Sequence, residues 1–325
     1  MARFSAPGRL GNAGREDHLE GDKPWQIVLQ LARASVRHRT TGHAAEMAFF
    51  AVLTLVPSTV AVGSALGLSE RFIGPKPVAE AEIAATRAIR ALIGPELTDT
   101  VIAPFVHAQL SQAEGGVALG SLLIAWWLSS HLFAATGNAL DFASGVTSRR
   151  PTVVRRFIAL AFALGSVVVV SVTVQLMVNG PLGRTGGFAR DLGLGEAYSV
   201  AWRIARWPLL LALIVTFLAC LYRFSPSVRH PWRECLPGAL VGAALWIVAG
   251  VAFRLLAALG LRSSSGVADD DPAVQIIGQS ISAVVATVLW AYLASIAILV
   301  GGEFNAILRE RREARRAALV GFPFT

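Results

Sequence analysis

The chain has 325 residues, 54% of them hydrophobic and 15% charged, against roughly 25% charge in ordinary soluble domains. That balance argues against a water-soluble enzyme and makes lipid the solvent. The net charge of +8 would suggest nucleic acid in a soluble protein, but a membrane protein gathers Lys and Arg on its cytoplasmic side, so lipids and not nucleic acid are the expected partners.

Residues 1–24 lack the apolar core of a cleavable secretion signal and read as a disordered cytoplasmic tail. From Trp25 to Arg39, the residues Trp25, Val28, Leu29, Ala32 and Val36 recur at helical spacing beside Arg33, Arg37, His38 and Arg39. This predicts either an amphipathic elbow helix on the cytoplasmic surface or an extension of the first span. That span, 44–68, contains Pro57 and acts as an uncleaved anchor, with Glu46 either at the interface or facing the bundle interior.

The loop 69–116 is mildly acidic and predicts a small external helical cap of two short helices. The second span, 117–140, opens with Gly116 and Gly120 at small-xxx-small spacing and carries His131, Asn138 and, just after it, Asp141. Arg149, Arg150, Arg155 and Arg156 then mark the cytoplasm before the third span, 157–178, which contains Gln175. The fourth span, 207–221, leads into a basic hinge holding Arg223, Pro226, Arg229, Pro231 and Arg233.

The fifth span, 236–259, begins Pro237, Gly238, where Gly238 and Gly242 permit close helix approach; Arg254 sits inside it or snorkels. After the acidic loop with Asp269, Asp270 and Asp271, the sixth span, 277–300, runs through Glu303 and Asn305 into a basic cytoplasmic tail, 311–325. The expected fold is thus an all-α polytopic membrane protein whose membrane domain, 25–310, has six transmembrane helices, an elbow helix and an external cap. Basic flanks place both termini in the cytoplasm.

Chemistry is sparsely written. The histidines are scattered, without HxH or HxxxH spacing, so neither a metal site nor a metal-dependent nuclease is expected. Gly183–Gly187 lacks the Gly-Lys-Ser/Thr of a phosphate loop. Cys220 and Cys235 flank the hinge without ligand spacing and are expected to stay reduced. No catalytic residue and no cofactor is predicted.

Three ordered stretches carry a resemblance. They are Ala44, Ala45, Glu46, Met47, Ala48, Phe49, Phe50 with Pro57; Leu221 to Pro226 followed by Trp232, Arg233, Glu234, Leu236, Pro237, Gly238, Ala239 and Trp246; and Trp290, Ala291, Tyr292 with Gly301, Gly302, Glu303, Phe304, Asn305, Ala306. Together they resemble the YihY/BrkB family of bacterial inner-membrane proteins over residues 25–310. Asp141 and Ser144 stand where that family commonly has Asn and Tyr. The resemblance implies a six-span envelope protein of the inner membrane, with transport or export of a lipid-like or envelope-related molecule as the role usually suggested; an older family label is ribonuclease.

Ionised groups near mid-bilayer cost roughly 2.5 to 3.5 kcal/mol on insertion scales and are therefore paired or functional. Glu303 is the first candidate for binding substrate or a proton, followed by Asn305, Glu46, Asp141 and Asn138. Pro226, Pro237, Gly238 and Gly242 are the expected hinge and packing residues. Either the carboxylates share one polar site or each caps a helix or pairs locally with Arg155, Arg156 or Arg309. A transporter and a non-transporting lipid-binding scaffold, the latter a homo-oligomer through its small-residue faces, both fit.

Overall fold

The computed structural model describes residues 24–73, 83, 115–145, 150–178, 195–228, 230–264 and 272–320. They form seven helices and, among the described residues, no strand: α1 (Pro24–Arg37), α2 (Thr40–Ile73), α3 (Gly115–Ala143), α4 (Thr152–Val178), α5 (Gly195–Phe224), α6 (Trp232–Ser264) and α7 (Pro272–Val320). Six of them, α2 to α7, are long and apolar enough to cross a membrane. Each expected span lies inside one of these helices. Of the expected external loop 69–116 only 69–73 in α2, 83, and 115–116 in α3 are among the described residues, and of the expected N-terminal tail only Pro24, which opens α1.

The helices outrun the expected spans at both ends. The clearest case is α7, which stays helical to Val320 through a stretch expected only to be a tail. Arg311–Ala318 is built from Arg, Glu and Ala, all strong helix formers, so leaving the apolar zone does not end the helix. The elbow, by contrast, is a separate element. Arg39 adopts a left-handed conformation (φ 53°) between α1 and α2, which interrupts the helical path.

Each spanning helix packs on the next in sequence, and α7 returns to α2, so the six close into a ring. Besides these neighbours, α7 also touches α3 and α1. Two apolar clusters fill the inside. One joins Phe133, Ala159, Ala163, Leu218, Ala239 and Ala243 of α3 to α6, with the rings of Phe133, Phe162 and Phe217 packed around one another. The other joins Ala44 and Met47 of α2, Ala135 and Ala139 of α3, and Leu299 of α7. Alanines four apart on α3, α4 and α6 let the backbones come close, which is what drives association where lipid removes any hydrophobic gain.

The outer surface is apolar too. On α4, Leu164, Val167, Val168 and Val170 are all exposed, the pattern of a lipid-facing wall.

Candidate functional site

Helices α6 and α7 cross closely, and Pro237 lies at the crossing. A proline within a helix removes one N–H donor and disturbs the carbonyl one turn back. Asn305, on the facing helix, bonds backbone groups on either side of Pro237. Its Oδ1 accepts from the Gly238 N–H at 2.7 Å, and its Nδ2 donates to the Cys235 carbonyl at 3.1 Å. Only glycine leaves room, since a Cβ on Gly238 would collide with the Gly301 carbonyl and the Asn305 amide.

One turn deeper, Tyr222 of α5 inserts its hydroxyl between Gly242 and Gly301 and donates to the Ile298 carbonyl at 2.6 Å. Gly238 and Gly242 therefore do pack closely. Gly116 and Gly120, at the same spacing on α3, face open space.

The hinge between α5 and α6 is folded inward and held by Asp141. Pro226 disfavours helical backbone at Ser225, which stops α5 at Phe224. The Asp141 carboxylate then accepts from the Ser227 N–H at 2.6 Å and from the Ser227 hydroxyl at 2.8 Å. Gly137, one turn before Asp141 on α3, makes space for Ser225, whose hydroxyl a Cβ there would meet at 2.9 Å. Arg223 closes the hinge by donating to the His230 carbonyl at 2.5 Å and lying over the Trp232 ring. His230 is pushed to a lower pKa by burial first and by Arg309 second, with Glu234 and Glu313 opposing.

Glu303 lies elsewhere, under the elbow. It is 2% exposed, accepts from the Ser35 hydroxyl at 2.5 Å and from the Thr40 hydroxyl, and has His38 Nδ1 at 3.8 Å. That ring nitrogen is buried and finds no hydrogen-bond partner among the described residues. Between α1, α2, α3 and α7, a void of about 10 Å³, lined by His38, Thr40, Ala139, Leu140 and Glu303, is just large enough for one water. No local sequence signal marks Ser35 and Thr40, which stand 268 and 263 positions from Glu303.

The other candidates are dispersed. Glu46 is exposed and, among the described residues, pairs with His43, at 3.7 Å one turn back. Asn138 is half-buried and takes Arg155 Nη1 at 2.9 Å. The next residue of α4, Arg156, reaches His131 Nε2 at 2.8 Å and covers the Trp127 ring. Arg309 donates to Ser144 at 3.1 Å. Arg254 is exposed on the outer surface, and the side chain of Gln175 lies outside the described residues. Asp141, Glu303 and Glu46 thus each have their own partners and share no direct contact. No group of three or more His, Cys, Asp or Glu suited to a metal occurs among the described residues.

The ribonuclease-like protein YfkH of Bacillus subtilis (strain 168) is 22% identical over 288 residues, covering 85% of this chain and 92% of its own length. No solved structure matches the chain. A family model described as virulence factor BrkB matches residues 31–320. With that match over most of its length and six helices long enough to span a bilayer, the chain belongs to the BrkB virulence-factor family of membrane proteins.

Proposed function

We propose that this protein is a transporter or exporter of a lipid-like or envelope-related molecule in the bacterial inner membrane, with Glu303 as its proton-responsive residue. The observation that carries this is the burial of an ionisable carboxylate in the bundle with hydroxyl partners and a histidine, instead of a fixed Lys or Arg. A group of that kind can gain or lose a proton without stranding an opposite charge. Protonation removes acceptor capacity toward Ser35 and Thr40, which ties the position of α1 and the start of α2 to the charge on α7.

Liposomes holding the wild-type protein and a headgroup-labelled phospholipid are expected to show lipid or proton movement that Glu303→Gln abolishes. Equal rates in wild type, Glu303→Gln and empty liposomes would reject transport. The second reading, a lipid-binding scaffold that forms homo-oligomers, is favoured by Asp141, Asn138 and Asn305, whose polar atoms are taken up in ties between helices.

In neither reading is the protein an enzyme. A nuclease needs carboxylates and histidines converging on one metal or water, whereas Asp141 and Glu303 serve separate partners. In this proposal both termini and the α5–α6 hinge face the cytoplasm, a reading supported by the arginines in those segments. In a cysteine-free background, Val228→Cys should react with an impermeant maleimide only after the membrane is opened. Reaction in intact cells would reverse the orientation.

A further inference from the structure

We infer that the groove between α1 and the extended end of α7 is a binding site for the headgroup of an anionic phospholipid. The groove has a volume of about 410 Å³ and is lined by Gln30, Arg33, Arg37, Glu310 and Arg311 over a floor that includes Ile307. Three guanidinium groups face one carboxylate there, leaving an excess of two positive charges (3 − 1 = 2). Arg33 and Arg37 are exposed and make no ion pair among the described residues. Arg311 is set across the groove by Gln30, whose Oε1 accepts from its Nε at 3.1 Å and its Nη2 at 2.6 Å. Planar guanidinium groups present paired donors that match phosphate oxygens.

The face of α1 next to the groove selects a lipid over free phosphate. Trp25, Leu29 and Val36 follow one another at helical spacing, and each is exposed. An uncovered apolar stripe beside a basic groove, at the end of a spanning bundle, fits a helix embedded in the headgroup layer, where acyl chains cover the stripe. The groove begins one turn beyond Glu303 on α7, and Glu303 is level with Thr40, the first residue of α2's spanning segment. A phosphate held there would bridge α1 to α7 on the aqueous side of the Glu303 contact. The site is separate from any transport step. Headgroup binding is read as lipid retention and transport as flux in liposomes, so failure of one is distinguishable from failure of the other.

Native mass spectrometry of the full chain released from detergent, titrated with phosphatidylglycerol or phosphatidylcholine, tests the inference. Wild type should retain phosphatidylglycerol in clear preference. The Arg33→Gln/Arg37→Gln double variant should weaken that binding by about tenfold or more and leave phosphatidylcholine adducts unchanged. Arg312→Gln/Arg316→Gln, which removes the same charge from exposed positions outside the groove, should retain it. Both pairs are exposed, and equal melting temperatures would show that neither variant is misfolded. Equal binding of the two lipids, equal losses in the two double variants, or full displacement by millimolar inorganic phosphate would each overturn the assignment.

Discussion

Gly238→Ala is expected to cost about 3 kcal/mol or more of stability, a large effect for a single methyl group. The added Cβ would occupy the place of the Gly301 carbonyl and of the Asn305 amide, so α6 and α7 must separate or tilt. Separation also breaks the Asn305 bonds to Gly238 and Cys235, leaving backbone groups beside Pro237 unpaired where no bulk water can replace them. Overpacking alone contributes about 1 to 3 kcal/mol, and each lost hydrogen bond about 1 more. Gly250→Ala on the same helix is the control. Its Cβ would meet nothing within 4 Å, and alanine favours helix, so stability should hold or rise slightly. Melting of the two variants in detergent checks the contrast. If Gly238→Ala melted with the wild type, the crossing would not be the close contact described.

Asp141→Ala should have the next largest effect, about 3 kcal/mol, because a charged acceptor and two of its bonds disappear together. The Ser227 N–H and hydroxyl would lose their partner, and the hinge would lose its connection to α3. Asp141→Asn keeps one good acceptor and should recover part of the loss, while Ser227→Ala, which removes only the hydroxyl bond, should cost about 1 kcal/mol. Denaturant or thermal unfolding ranks the three. Limited proteolysis adds a local reading, with faster cutting around 225–231 expected in Asp141→Ala than in Ser227→Ala. An Asp141→Ala variant as stable and as resistant as wild type would show that the hinge is held by Arg223 and Trp232 instead.

Asp141 and Asn305 stand out in the sequence as polar groups at the ends of apolar spans, which suggests a binding role. In the folded chain their polar atoms meet backbone irregularities created by proline, Asp141 at the Pro226 hinge and Asn305 at Pro237. The two observations have one cause. A proline in or beside a membrane helix frees backbone donors and acceptors, and a side chain from a neighbouring helix must satisfy them. Glu303 is different, because its partners are hydroxyls and a histidine on a segment outside the spans.

The amino-acid sequence by itself determined the six spans and the glycines at the α6–α7 crossing, and left open the break after α1 that the structure shows at Arg39. Those features follow from local patterns, namely apolar runs long enough for a bilayer and small residues four apart. It did not separate the glycine pair that packs, Gly238 and Gly242, from the pair that does not, Gly116 and Gly120, since the same spacing serves both. Only the tertiary structure decided that, along with the dispersal of Asp141, Glu46 and Glu303 and the meeting of Ser35 and Thr40 with Glu303. The physical reason is sequence distance. Which faces meet depends on how six helices close into a ring, and contacts between residues more than 260 positions apart leave no trace in local periodicity.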